Sequence, residues 1–204
     1  MGIADFLPSG NERLDRQLQF AAEIDQMTGV LRRTLLVDGS RRENDAEHSW
    51  HIAAMALLFE EHALQKPDVS HAVQMCIVHD LVEIYAGDTF AFDEEAQGEK
   101  ESRERIAADR LFSQLPPEQG AAIRSLWEEF DGMQTADARY AVCMDRLQPF
   151  LHNTLTGGHS WKQSDITRAM VEKRMEPVRQ FLPGAWDWVQ KNIENAVARG
   201  LLVP

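Results

Sequence analysis

The stretch VHDLVEIYAGD, residues 78 to 88, sets His79 directly against Asp80 in an apolar run and follows them with Glu83 and Asp88. Burying charge is costly unless it is paired or given to a metal ion. A histidine nitrogen beside an aspartate oxygen joins a borderline-soft donor to a hard one, which suits Mn, Fe, Co, Ni or Zn rather than Ca. Two further segments offer the same donors. ENDAEHSW places His48 early in one helical pattern, and AVCMDRLQPF places Asp145 among the apolar positions of another. Two histidines and two aspartates from three helices can converge on one divalent ion in the middle of a bundle. No histidine lies between Asp80 and Asp145. One ion is expected.

An ion of this kind polarises a phosphoryl oxygen and draws the pKa of bound water toward ~7. Glu83, one turn after His79, shares its helical face. It can orient that water, take its proton, or hydrogen-bond a ligand. Asp88 follows the Gly87 stop, where a loop carboxylate can reach sugar hydroxyls or stabilise a turn. Arg33 can clasp a phosphate dianion through its two-pronged guanidinium.

The elements that must position these groups read as helices. Ser9 and Glu12 form a capping-box pattern ahead of the stripe Phe20, Ile24, Met27 and Leu31. Residues 32–42 show no helical period and are expected to be a loop. Asn44 and Glu47 repeat the capping pattern for a second helix to about Gln65, stopped by Pro67. Asp68 caps a third, expected to continue to Gly87. The charged segment 93–115 predicts a solvated helix with Ile106, Leu111 and Leu115 as its apolar side. Pro116-Pro117 opens a fifth helix, and Thr135 caps a sixth through Asp145 to about Leu155, bent at Pro149. TGGHSW reads as a loop, with two last helices over 164–182 and 183–199. Strand signals are nearly absent. The expectation is one all-α domain over residues 1–204, a bundle of seven or eight helices.

Composition limits the rest. The 204 residues are 44% hydrophobic, enough for one sizeable core. A net charge of −12 argues against a broad nucleic-acid face. It still allows an anionic small molecule where positive charge is concentrated. Cys76 and Cys143 lie among apolar neighbours in no zinc or disulfide spacing. The opening MGIADFLPSG lacks a basic region and a long apolar run, and no stretch is long enough to span a bilayer. A cytoplasmic protein is expected. Among the other histidines, His152 falls on the face of Asp145, where it can line the pocket, while His51 is expected at the margin of helix two, and His62 and His71 at the surface. The five tryptophans read as core or interface packing.

The order His…His-Asp…Asp resembles the HD-domain superfamily of metal-dependent phosphohydrolases. ENDAEHSW, HDLVEIYAGD and DRLQPFLHN are similar to the branch that holds the 5′-deoxynucleotidases, over roughly residues 30 to 160. The resemblance implies that His48, His79, Asp80 and Asp145 ligate the metal. It also implies that Glu83 and Asp88 serve water activation and the sugar-phosphate side, that Arg33 contacts phosphate, and that the protein is a homodimer. One position departs from that branch: Thr34 stands where those nucleotidases carry a tryptophan that helps select deoxyribose. The expected activity is a phosphomonoesterase acting on a small phosphorylated substrate, foremost nucleoside 5′-monophosphates. The alternatives are a phosphohydrolase for nucleoside triphosphates or cyclic nucleotides, and a non-catalytic metal- and nucleotide-binding module.

Overall fold

The computed structural model describes residue 5 and residues 8–204, the side chains at 94, 95 and 97 excepted. Asn11, two residues after the expected cap, accepts the Leu14 amide and opens α1 (Glu12–Ile24). A 3-10 turn then leads to strand β1 (Leu31–Leu35), which pairs antiparallel with β2 (Arg42–Asn44). This hairpin corrects the expected loop. Its turn is closed by Leu36 N–H to the Arg41 carbonyl, with Gly39 at φ 72°. A strand's alternation then governs the side chains: Arg32 and Thr34 point inward, Leu31 and Arg33 outward, and Glu43 is buried from the facing strand.

Asn44 caps α2 (Asp45–Ala56) with the reciprocal Glu47 bond of a capping box, but the helix stops nine residues short of Gln65. Asp68 caps α3 (Val69–Val78). This helix ends at His79 instead of running to Gly87. Tighter turns carry the chain from Asp80 into α4 (Glu83–Ala86), through Leu81 N–H to Val78 O and Glu83 N–H to Asp80 O. The His79-Asp80 pair therefore sits at a helix corner.

The charged segment forms α5 (Glu94–Phe112). Its inner face is Ala107, Ala108, Leu111 and Phe112, while Ile106 is exposed. α6 (Pro117–Gly132) begins on Pro117, and Thr135 caps α7 (Ala136–Leu155), which contains Pro149. The Gly-rich loop is short, because α8 (His159–Gln163) starts within TGGHSW. The expected helix over 164–182 is two, α9 (Arg168–Arg174) and α10 (Glu176–Phe181), and α11 (Trp186–Ala198) follows. The all-α architecture holds, with more and shorter helices than expected and one small hairpin.

α2, α3 and α7 pack on one another at the centre of the larger core. Ala56, Ala72, Ala138 and Ala141 are fully buried there. A second cluster joins Phe20 and Met27 to the inner face of α5 and to Trp127. The functional side chains emerge where the hairpin closes over the α2–α3–α7 seam.

Candidate active site

His48 comes from α2, His79 and Asp80 from the corner after α3, and Asp145 from α7, so that three helices bring four donors together. All four residues are buried. His48 Nε2 lies 3.1 Å from Asp145 Oδ1 and 3.9 Å from Asp80 Oδ2. His79 Nε2 lies 3.0 Å from Asp80 Oδ2 and 3.8 Å from Asp145 Oδ1.

The tautomers follow from the other ring nitrogens. His48 Nδ1–H donates to Gln148 Oε1 at 3.0 Å, and His79 Nδ1–H donates to the Cys76 carbonyl at 2.9 Å. Both acceptors are oxygens without a proton, so each Nδ1 carries one and both Nε2 atoms are aimed at carboxylates. Carboxylates and imidazole nitrogens gathered in a buried site need positive charge among them, a metal ion or a proton. Burial, reinforced by Arg32, draws His48 down to about 4, so its ring is neutral. Burial pulls His79 the same way, but the Asp80 and Asp145 carboxylates outweigh it and raise His79 to about 9. Its Nε2 is also a buried polar atom with no hydrogen-bond partner. His48, His79 and Asp145 form one of the described groups able to hold a metal ion. The donor set and the stranded nitrogen fit such an ion, with Asp80 beside it.

Around this centre lie residues that the sequence did not single out. Arg32 Nη1 bridges Asp80 at 2.9 Å and Asp45 at 3.2 Å, and its Nε is 3.7 Å from Glu43. Gln148, fully buried, donates to Glu43 while accepting from His48. Burial raises Glu43 to about 7, and burial together with the Asp80 charge raises Asp45 to about 7. Gln148 was detectable only as a polar residue on the inner face of α7, three positions after Asp145. Arg32 needed knowledge of the hairpin.

The remaining expected residues fall around the same cavity. Glu83 is buried, and burial followed by the charges of Asp80 and Asp45 holds its carboxyl well above the ordinary range. Asp45, Glu83 and Asp88 bring oxygens within 4.8 Å of one another. Arg33 lies at the rim, stacked 4.3 Å over the Phe90 ring and 3.4 Å from Ser164 Oγ. Thr34 is buried and lines the cavity, as do Arg32, Arg33, Asp88, Lys100 and Glu104. His152 is buried behind Gln148, where Nδ1–H donates to the Leu35 carbonyl, and His51 packs against it at a ring separation of 5.3 Å. His71 pairs with Glu129 at 2.8 Å.

A family model described as HD domain matches residues 24–186. The chain belongs to the HD-domain family. Its namesake dipeptide is His79-Asp80, at the corner where the two side chains meet. Over 97% of this HD-domain chain and 99% of the other, the fold matches a crystal structure of a predicted metal-dependent phosphohydrolase from Magnetospirillum magnetotacticum MS-1, with 47% identity and a TM-score of 0.90. An HD-domain phosphohydrolase from Listeria innocua shares the fold at 13% identity and a TM-score of 0.60, covering 90% of this chain and 86% of that one. A 5′-deoxynucleotidase from Xenopus laevis is 29% identical over 135 residues, 66% of each chain. The chain thus spans about two thirds of the length of the curated relatives it matches. Among the described residues, no helix is long and apolar enough to cross a membrane.

Proposed function

We propose that this HD-domain protein is a metal-dependent phosphomonoesterase that hydrolyses small phosphate esters, foremost nucleoside 5′-monophosphates. The observation that carries the reading is the convergence of two imidazole Nε2 atoms and buried carboxylates on one point, a donor set that a divalent transition-metal ion completes. His48, His79, Asp80 and Asp145 would hold that ion, one per chain. When bound, it supplies Lewis acidity toward a phosphoryl oxygen and acidifies water.

The chain's own groups do the rest. Glu83 sits where its raised proton affinity suits it to take a proton from the attacking water. The water oxygen adds to phosphorus, the ester P–O bond breaks, and the leaving oxygen departs with the electron pair and collects a proton, giving an alcohol and orthophosphate. Asp88 is assigned to the sugar hydroxyls and Arg33, at the rim, to the substrate's phosphate side. Arg32 lies against both Asp80 and Asp45 and offsets their mutual repulsion. The likeness to a 5′-deoxynucleotidase and to a predicted metal-dependent phosphohydrolase supports the phosphatase reading.

The reading extends to a cytoplasmic homodimer. Two buried free thiols support a reducing compartment, and the exposed Trp50, Leu57 and Leu58 support a protein contact. A panel of phosphorylated metabolites assayed with Mn²⁺, Co²⁺, Ni²⁺, Mg²⁺ and Zn²⁺ tests the activity. Hydrolysis of nucleoside 5′-monophosphates that depends on added metal is expected. Metal content that stays full in a His79→Ala, Asp80→Ala double variant would overturn the site.

A further inference from the structure

The net charge of this chain is −12, yet one wall of its active-site cavity is cationic. Beyond Asp145 the cavity continues into a recess lined by Arg146, Lys173 and Arg174 together with Phe92, Met170 and Pro177. The recess has no carboxylate among its lining residues and shares Ala91, Phe92, Arg146 and Arg174 with the cavity over the metal centre. Asp145 stands between the two spaces and serves both. Its Oδ1 faces His48 and His79, while its Oδ2 accepts from Arg146 and lies 3.8 Å from Arg174.

The neighbouring acids are engaged elsewhere. Glu172 pairs with Arg168, and Glu176 with Arg179. One aspartate therefore faces two of the three cations, Arg146 and Arg174, and that aspartate is a proposed metal ligand. With Asp145 shared with a metal ion, the two guanidiniums keep donors beyond that one carboxylate, and the recess they line with Lys173 has no acid among its lining residues. Guanidinium forks match phosphate oxygens two at a time, and a cluster of three cations suits a multiply charged anion better than a lone carboxylate.

We infer that this recess is an anion subsite for a second phosphoryl group of the substrate, next to the one held at the metal centre. The inference rests on the phosphatase reading and extends it from phosphate monoesters to a phosphoanhydride. Because one carboxylate spans the two positions, the two phosphoryl groups must be neighbours, joined through a bridging oxygen as in a nucleoside 5′-diphosphate. Hydrolysis then adds water to the terminal phosphorus and breaks its bond to the bridging oxygen, which leaves with the electron pair on the retained phosphate. The products are orthophosphate, a nucleoside monophosphate and one proton. A plain monophosphate uses the metal position alone and is the minimal substrate.

Calorimetric titration of the metal-loaded protein with orthophosphate and with pyrophosphate tests the subsite, using wild type, Lys173→Gln and Arg174→Gln. Lys173 is exposed, so its variant keeps the fold intact, and metal content is checked for both. Pyrophosphate should bind at least tenfold more tightly than orthophosphate in the wild type, and the gap should shrink to under threefold in the variants. In parallel, a nucleoside 5′-diphosphate should show a KM at least tenfold below that of the monophosphate, and the difference should shrink in the variants. Equal affinities for the two anions, a gap unchanged in both variants, or a diphosphate no better than the monophosphate would each overturn the inference. Tight pyrophosphate binding through Lys173 and Arg174 in a protein that hydrolyses no phosphate ester would instead defeat the phosphatase reading, and with it the assignment to a substrate.

Discussion

Gln148 gives the sharpest test of how the metal centre is held. It is fully buried, its Oε1 accepts the Nδ1–H of His48, and its Nε2 donates to Glu43. Replacing it by leucine keeps the volume and removes both bonds. A buried donor left without a partner costs about 1–3 kcal/mol, and here the donor is the imidazole N–H that fixes which nitrogen faces the metal. Part of the loss falls on folding and part on metal binding. Removing a hydrogen-bond partner that orients a ligating histidine typically weakens metal binding by about 10–100-fold, or ~1.4–2.8 kcal/mol. Gln148→Leu should therefore lower the melting temperature of the metal-free protein and, separately, raise the metal dissociation constant tenfold or more in competition with a chelator. Gln148→Glu keeps an acceptor for His48 but sets a carboxylate against Glu43. It should restore most of the metal affinity while raising the proton affinity of Glu43 further. A lowered melting temperature with metal affinity within threefold of wild type in Gln148→Leu would refute the argument and leave Gln148 a packing residue.

Glu83→Gln should retain metal and lower kcat by ~10²-fold or more, the scale of a positioned general base, in a stopped assay on a nucleoside monophosphate; an unchanged kcat removes Glu83 from the chemistry. The small buried Thr34 leaves room at the cavity wall for a ribose 2′-hydroxyl, so kcat/KM for matched deoxyribo- and ribonucleotides should agree within roughly tenfold, about 1.4 kcal/mol. A thousandfold preference for the deoxy form would show that other side chains exclude the hydroxyl. The metal-free protein should lose stability as pH rises from about 6.5 to 9. His79, raised to about 9 in the fold, contributes stability that is complete below its unfolded value and is lost through that window, on the order of 1–3 kcal/mol. Below it, Glu43 and Asp45, raised to about 7, lose stability with rising pH, while His48 and His152, lowered to about 4, gain it, so the lower window should be flatter. Thermal melts with and without bound metal check this, because an imidazole nitrogen given to a metal no longer titrates and the slope above pH 6.5 should vanish.

The helices were legible where capping chemistry and apolar period agreed. Asn44, Asp68 and Thr135 cap the helices expected of them, and the four donors lie on or beside those helices. The hairpin was hidden because its strands are built from Arg32, Arg33, Arg42 and Glu43, residues with neither the branched side chains nor the apolar alternation that marks a strand. Alternation operates there all the same, with polar residues on both faces, and it decides that Arg32 enters the acidic cluster while Arg33 goes to the rim over Phe90. Two adjacent arginines cannot be assigned to sides until the backbone between them is known to be extended. The corner after α3 was hidden for a different reason. Val78, Leu81 and Ile84 continue the helical stripe, and the break at His79 comes from tertiary packing, not from a glycine or proline.

The alanines of the α2–α3–α7 seam act as a spacer gauge for the metal centre. Ala56, Ala72, Ala138 and Ala141 set how closely the three helices approach, and their methyl groups leave nothing to compress. Helix separation is thereby converted into donor separation, since His48, His79 and Asp145 ride on the same three backbones. A bulkier residue such as leucine at Ala56 or Ala141 would spread the helices without touching a ligand. The tolerance of the centre is thus fixed by its smallest side chains, at positions with no chemistry of their own.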